Sequence, residues 1–311
     1  MTDLTPPAIE HAALPGFFRR GINELKTLFY RLADRQFAPT AGQACRPEQE
    51  DITPRSGKLS LEVVSHCWQY SHTLVYHLSA LASYPPTRAE VTVTVFYCPE
   101  DHHTQAMLDY FGAMEVQGVH WNWQPLAREV LFRRSIGRNY AALNTRADWI
   151  WYIDCDLIFH QGCIDSLAEA LQGRTDALLF PESEFVTDLL EDDNPVLRNN
   201  RAPQIVDIDP AQFRKIPITR AVGAYQITHG DVARACGYCR NIDVFQTPSE
   251  RWRKTYEDRT YRWLLGTQGV RIPVDNIFRI RHVSKGRYRE GGRLNALRRF
   301  LRKRQTRRNE R

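Results

Sequence analysis

The segment DWIWYIDCDLIF, residues 148–159, sets Asp154 and Asp156 two positions apart behind the apolar run from Trp149 to Ile153. In an extended chain, period-2 alternation turns both carboxylates to one side and Cys155 to the other. Two like charges so close repel each other and stay ionised together only beside a cation. A hard divalent ion, Mg2+ or Mn2+, prefers such oxygen ligands. Exposed acids partnered by arginines, or capping the next helix, would give the same two letters, because the motif is short. The apolar residues on both sides favour a buried strand ending at the pair. Ligands of an open parallel sheet bind beyond such strand ends.

The elements that must hold the pair are legible around it. LSLEVVSHCW reads as a strand, and YSHTLVYHLSALASY as a helix closed by Pro85 and Pro86. VTVTVFYC, residues 91–98, is β-branched and strand-like. DHHTQAMLDYFGAM reads as a helix with Asp101 as its N-cap. GVHWNWQPL is a third strand, RRSIGRNYAALNTRA a helix and DWIWYID a fourth strand. Strands alternating with helices predict βαβ units and a doubly wound, mostly parallel α/β sheet with flanking helices. Further on, DALLFPES reads as a strand and AVGAYQITHGDVARACGY as a strand turning into a helix near Asp231. EDRTYRWLLGTQG reads as a helix closed by Gly269, and VRIPVDNIFRIRHV as a final extended stretch.

The chain has 311 residues, long enough for a sizeable core. No run of about 18 apolar residues predicts a spanning helix. The opening MTDLTPPAIEHAALPG lacks a charged region followed by an apolar one, so no signal peptide is expected and the expected location is the cytoplasm. The seven cysteines, at 45, 67, 98, 155, 163, 236 and 239, suit reduced thiols. The pair in CGYC has no second pair or histidines in the pattern of a zinc site, and reads as two small residues at a helix end.

Residues 1–57 form an N-terminal extension. A helical pattern (Phe18, Ile22, Leu25, Leu28, Phe29, Leu32) is followed there by a Pro- and Gly-containing linker. Residues 58–288 form the catalytic-domain candidate, and 289–311 a basic tail. Residues 279–311 hold fourteen Lys or Arg against Glu290 and Glu310, a local charge of +12. The whole chain carries +6, so the remainder carries −6. In RLNALRRFLRKRQTRRNER, Leu294, Leu297 and Leu301 recur at helical spacing among arginines. That pattern suits a helix at an anionic membrane surface, as does the segment around Phe17, Phe18, Arg19 and Arg20. A solvated charged tail gives the same composition. The acidic body argues against nucleic acid as the partner.

The stretch SIGRNYAALNTRADWIWYIDCDLIF resembles the inverting nucleotide-sugar glycosyltransferases of family 2, which have the GT-A fold. Arg138 and Asn139 match the family's Arg-Asn helix, Ala141 and Ala142 its small-residue face, and Asp154 and Asp156 its aspartate pair. KTYEDRTYRWLLGTQG resembles the family's Glu-Asp motif on the acceptor side, and AVGAYQITHGDVARACGY the segment that shapes the acceptor pocket. In RIRHVSKGRY, His282 stands where many GT-A enzymes carry a third metal ligand. The resemblance spans residues 59–288 with gaps. Two places depart from the family pattern. The first strand ends in SHCWQY where Pro-x-Tyr-Asn is common, and YCPEDHH replaces an Asp-Asp-Gly-Ser turn. The base-binding acid is thus Glu100 or Asp101, or neither.

The resemblance implies a nucleotide-sugar donor, a glycan or lipid-linked acceptor, and Mn2+ or Mg2+ held by Asp154, Asp156 and His282. Asp154 would also reach the ribose, and Arg138 the nucleotide or its phosphates, with Lys285 and Arg287 helping to hold the diphosphate. Asp258 would be the general base and Glu257 its acceptor-side neighbour. Bland alternatives stand beside these roles. Asp258 and Glu257 suit a helix N-terminus, His282 a buried histidine, and Arg138 an ion pair with Asp154. A nucleotidyltransferase would want a Gly-rich phosphate loop after the first strand, and SHCWQYSH has none. A phosphatase of the D-x-D type would carry its motif on the first strand, not the fourth. The non-enzymatic alternative is a membrane-surface or nucleic-acid adaptor with a transferase-like core.

Overall fold

The computed structural model describes residues 21–23, 25–30, 45–198, 202–252 and 256–283. The basic tail, Lys285, Arg287, residues 17–20 and much of the expected linker lie outside the described residues. In chain order the elements begin with β1 (Leu59–Cys67), α1 (Ser71–Ser83), β2 (Ala89–Tyr97), α2 (His102–Gly112) and β3 (Val119–Pro125). Then come α3 (Arg128–Leu131), α4 (Arg134–Asn144), β4 (Trp149–Tyr152), β5 (Leu157–Phe159), α5 (Cys163–Ala170), β6 (Leu178–Pro181) and β7 (Ser183–Thr187). The remainder is α6 (Pro195–Arg198), β8 (Phe213–Pro217), β9 (Gln226–His229), α7 (Gly230–Cys236), α8 (Asp243–Gln246), α9 (Glu257–Leu264), β10 (Val270–Ile272) and β11 (Ile277–Arg279).

A seven-stranded sheet runs β10-β6-β9-β4-β1-β2-β3. All its pairings are parallel except those of β9, which lies antiparallel between β4 and β6. This is the doubly wound, mostly parallel α/β architecture the alternating pattern predicts. The apolar runs in β1 and β4 follow from burial on both faces, with Val63, Val64, Trp149, Ile150 and Trp151 all buried, whereas β2 alternates and buries Val91, Val93 and Val95 on one face. Each such side chain contributes roughly 1.5–3 kcal/mol. Asp101 caps α2 as expected, its carboxylate accepting from Thr104 N at 3.3 Å.

The strand order places the site. From β1 the chain moves outward through β2 and β3, then returns through α4 to β4 on the other side of β1. Between β1 and β4 the winding reverses, and the crevice beyond the carboxyl ends there is the favoured ligand position.

Three local expectations are corrected. The strand before the aspartates ends at Tyr152, so Asp154 and Asp156 stand in a turn closed by Leu157 N donating to Asp154 O. Helix α9 ends at Leu264, near Gly266 (φ +62°), and Gly269 (φ +91°) lies beyond it. The final extended stretch is two strands in different sheets. β10 pairs with β6, and β11 joins a second sheet, β5-β11-β7-β8. Asn276, at φ +56°, makes the break between them. Residues 45–57 are laid on the body: Ile52 is buried, and Thr53 N donates to Asp231 Oδ2 at 3.0 Å.

Candidate active site at the β1–β4 switch point

The end of β4 is sewn to the end of β1. Ile153 N donates to Val64 O at 2.9 Å, and Cys155 Sγ donates to His66 O at 3.2 Å. Those bonds set the turn carrying Asp154 and Asp156 over the crevice. A pocket opens there, lined by His66, Tyr70, Arg134, Asp154, Cys155, Asp156 and Trp252. Its mixed polar and aromatic wall suits a small polar ligand. Both aspartates reach it, although they leave a turn and not a strand.

Helix α4 delivers two arginines one turn apart, on the same helix face. Arg134 lies at the rim with its side chain 21% exposed, and Arg138 lies beneath it at 0%. Arg134 Nη1 donates to Asp154 Oδ1 at 2.7 Å and Nη2 to Glu257 Oε1 at 2.9 Å. Burial opposes its charge, but Glu257, Asp154 and Asp258 together hold its pKa above the ordinary arginine value. Arg138 Nη2 is 4.0 Å from Asp154. Its Nη1 donates to Tyr238 Oη at 2.9 Å, and its guanidinium packs over the rings of Tyr152 and Tyr238.

The Glu-Asp segment begins α9. Glu257, 2% exposed, receives Arg134 from inside. Asp258 Oδ2 accepts from Gly223 N at 3.0 Å, and its carbonyl accepts from Gln226 Nε2 at 2.9 Å. Gln226 Oε1 in turn accepts from Tyr238 Oη at 2.7 Å. A buried chain of hydrogen bonds therefore runs from Arg138 through Tyr238 and Gln226 to the backbone of Asp258. It ties the helix before the aspartate pair to the helix that carries the second acidic motif.

His66, near the end of β1, is wedged between the Phe96 ring (centroids 4.9 Å apart) and α4. An added Cβ on Gly137 would come within 2.3 Å of its Nε2. Neither ring nitrogen meets a hydrogen-bond partner among the described residues. Burial, then the charges of Arg138 and Arg134, push its pKa well below the ordinary histidine value, so the ring is neutral.

On the far side of Asp156, Ile280 N donates to its carbonyl at 3.1 Å. Next to that contact, Arg279 Nη2 donates to Glu184 Oε1 at 2.6 Å, and Tyr225 Oη donates to Glu184 Oε2. Burial acts against the Arg279 charge, while Tyr225, Glu184, Asp156 and Asp154 sustain it.

The structure thus joins Asp154 and Glu257 through Arg134, with Asp156 on the same pocket wall and Asp258 one residue beyond Glu257. It does not bring in the other candidates. Arg138 is sealed below the cavity, which removes the expected direct contact with phosphates. Asn139 Oδ1 accepts from Tyr238 N at 2.9 Å and fastens the end of α7. Glu100 is an exposed partner of Arg128 at 3.2 Å, and Asp101 is the α2 cap. His282 is buried one ring behind the cavity, edge-on to Tyr70 with centroids 5.5 Å apart. Among the described residues, no group of three or more His, Cys, Asp or Glu side chains is placed to hold a metal ion. Asp154, Asp156 and His282 are thus not gathered as a three-ligand set among the described residues.

Arg134, His66 and the Glu184–Tyr225–Arg279 group are absent from the sequence reading. Arg134 had a signal, its i, i+4 relation to Arg138. The other four residues come from separate strands and turns and had none.

No protein-family model and no curated protein matches the chain. Among solved structures it is similar to one titled "Crystal structure of S. aureus TarS", with 12% identity and a TM-score of 0.42. The match covers 71% of this chain and spans 37% of that chain's length.

Proposed function

We propose that this protein transfers a sugar from a nucleoside diphosphate to an acceptor hydroxyl, with inversion at the anomeric carbon. The observation that carries the reading is the convergence of two acidic segments far apart in sequence. Asp154–Asp156 and Glu257–Asp258 meet through one guanidinium, Arg134, at the switch point of the sheet. The donor diphosphate lies in the crevice beside Asp154 and Asp156, and the acceptor approaches from α9.

Asp258 takes the proton from the acceptor hydroxyl as its oxygen bonds to the anomeric carbon. The bond from that carbon to the diphosphate oxygen breaks on the opposite face, and the nucleoside diphosphate leaves with the electron pair. Gly223 N holds Oδ2 of Asp258 at 3.0 Å, which fixes the carboxylate for this work. Asp154 and Asp156 would hold a Mg2+ or Mn2+ ion, whose charge would offset that of the departing diphosphate. Two carboxylates fit such an ion, because it takes its remaining ligands from phosphates and water. Tyr70 and Trp252, on the cavity wall, exclude water from one side.

The acceptor belongs to a lipid-linked or envelope glycan, met at an anionic membrane surface. The helical residues 21–23 and 25–30 support this part. Tyr30 packs on Phe245 and on Trp263 of α9, while Ile22, Leu25, Leu28 and Phe29 face outward. Among the described residues no helix is long and apolar enough to cross a membrane, so the contact proposed is with its surface.

Titration of UDP and GDP into the protein, with and without Mn2+, tests the reading. One of them should bind in a metal-dependent way, and Asp156→Ala should lose that dependence while keeping its melting temperature. Asp258→Asn should lower turnover of the matching nucleotide sugar by roughly a hundredfold or more with donor affinity retained. Full transfer by Asp156→Ala would overturn the metal role. Loss of donor binding in Asp258→Asn would overturn the base role. Failure to bind any nucleotide would return the protein to the adaptor reading.

A further inference from the structure

We propose that Arg134 is the diphosphate clamp of this site, and that it exchanges Asp154 for phosphate oxygens when donor binds while keeping Glu257. The inference rests on the proposed donor class and assigns a residue that the aspartate-pair and Glu-Asp motifs do not contain.

Position is the first observation. Arg134 opens α4, whose N-terminal end faces the crevice between β1 and β4. A helix N-terminus carries partial positive charge and free backbone N–H groups, so a cation there is electrostatically misplaced unless anions surround it. In the structure two carboxylates supply the anions. A bound diphosphate would meet the same requirement, and both the helix end and the guanidinium would favour it.

Asymmetry between the two bonds is the second observation. Glu257 is 2% exposed and Asp154 is 38% exposed. Breaking the inner bond would leave a buried carboxylate without its cation, which is costly. The outer bond is partly wet, and such pairs are weak. An incoming anion therefore displaces the outer arm and not the inner one. The planar guanidinium offers parallel N–H donors that match a phosphate, whereas a lysine is a point charge. Arg138, 4.0 Å from Asp154, stays behind to neutralise the carboxylate Arg134 has left. Because Glu257 begins α9, the retained arm keeps the acceptor-side helix in register with the occupied donor site.

The test compares affinities of the native protein and of Arg134→Gln for UDP, UMP, GDP, GMP and inorganic pyrophosphate by calorimetry, with melting temperatures alongside. The native protein should prefer the diphosphate to the monophosphate of its base. Arg134→Gln should weaken diphosphate and pyrophosphate binding roughly ten- to a hundredfold while changing monophosphate affinity by less than about threefold. Arg134→Lys, which keeps a charge but not the fork, should fall between and covers the case in which the glutamine variant does not fold. Equal losses for mono- and diphosphate, or none, would overturn the clamp while leaving the donor reading intact. Arg134-dependent pyrophosphate binding with no nucleotide affinity would support the clamp and overturn the nucleotide donor. No binding of any of these ligands by the native protein would overturn both.

Discussion

His77 shows how a single buried group reports on the fold around the site. It sits on α1 with no exposed surface, and its Nδ1 donates to Leu157 O at 3.0 Å, one residue past the aspartate turn. Burial pushes its pKa from the ordinary 6.5 down to about 4. The unfolded chain therefore takes up this proton first as pH falls. The stability that comes from keeping His77 neutral is complete above about pH 6.5 and is lost as pH falls toward 4. Between pH 7 and pH 5 this one group should cost about 2 kcal/mol, and His66 adds a loss of the same sign. Urea unfolding at the two pH values should show it, and His77→Gln should flatten the difference. An unchanged pH dependence in that variant would mean another group is responsible. At this scale the sequence was a good guide to residue type and a poor one to depth. Asp154 and Asp156 line the pocket and Glu257 meets it through Arg134, but the expected ligand contact, Arg138, lies buried beneath, and Arg134 one turn earlier is the arginine on the wall. Helical periodicity gives the face of a helix, and only the loop before it decides which turn reaches the cavity.

Elements were legible where they were long and patterned. β1, β2, β3, α1, α2 and α4 follow the expected ranges closely, because period-2 and period-3.6 signals had room to repeat. The second sheet was not legible. β5 and β11 have three residues each, too short for a pattern, and their pairing joins Ile158 to Phe278 across more than half the domain. The strand-to-helix turn near Asp231 was expected, but not what fixes it. Gly230 N donates to Asp148 O at 2.7 Å, and a Cβ there would lie 2.1 Å from Ala147 O. Both atoms belong to the backbone leading into β4, which cannot yield without moving the strand that carries the aspartate turn. Gly230→Ala should therefore destabilise the protein by roughly 1–3 kcal/mol, against at most about 1 kcal/mol of helix propensity gained. A melting temperature equal to or above the native value would show that the α7–β4 junction is softer than its packing implies.

Across the whole molecule, charge and apolar surface are segregated in a way that single motifs do not reveal. Residues 279–311 carry +12 and the remainder −6. The apolar face formed by Ile22, Leu25, Leu28 and Phe29 stands between 49% and 68% exposed. Its anchor, Tyr30, touches Trp263 on the helix that begins with Glu257 and Asp258. A lipid surface engaging that face would thus lie against α9, the side from which the proposed function brings a lipid-linked acceptor. Apolar insertion and basic attraction respond differently to salt, since only the second is screened. Sedimentation with vesicles should therefore be strong with phosphatidylglycerol at low salt and weak with phosphatidylcholine. It should fall in part, not wholly, at ~0.5 M salt. The double substitution Leu25→Glu and Phe29→Glu should remove the salt-resistant fraction and leave the salt-sensitive one. If that variant sediments like the native protein in both salts, the exposed face serves another purpose, and a native mass twice the monomer's in light scattering would identify a second copy as its occupant.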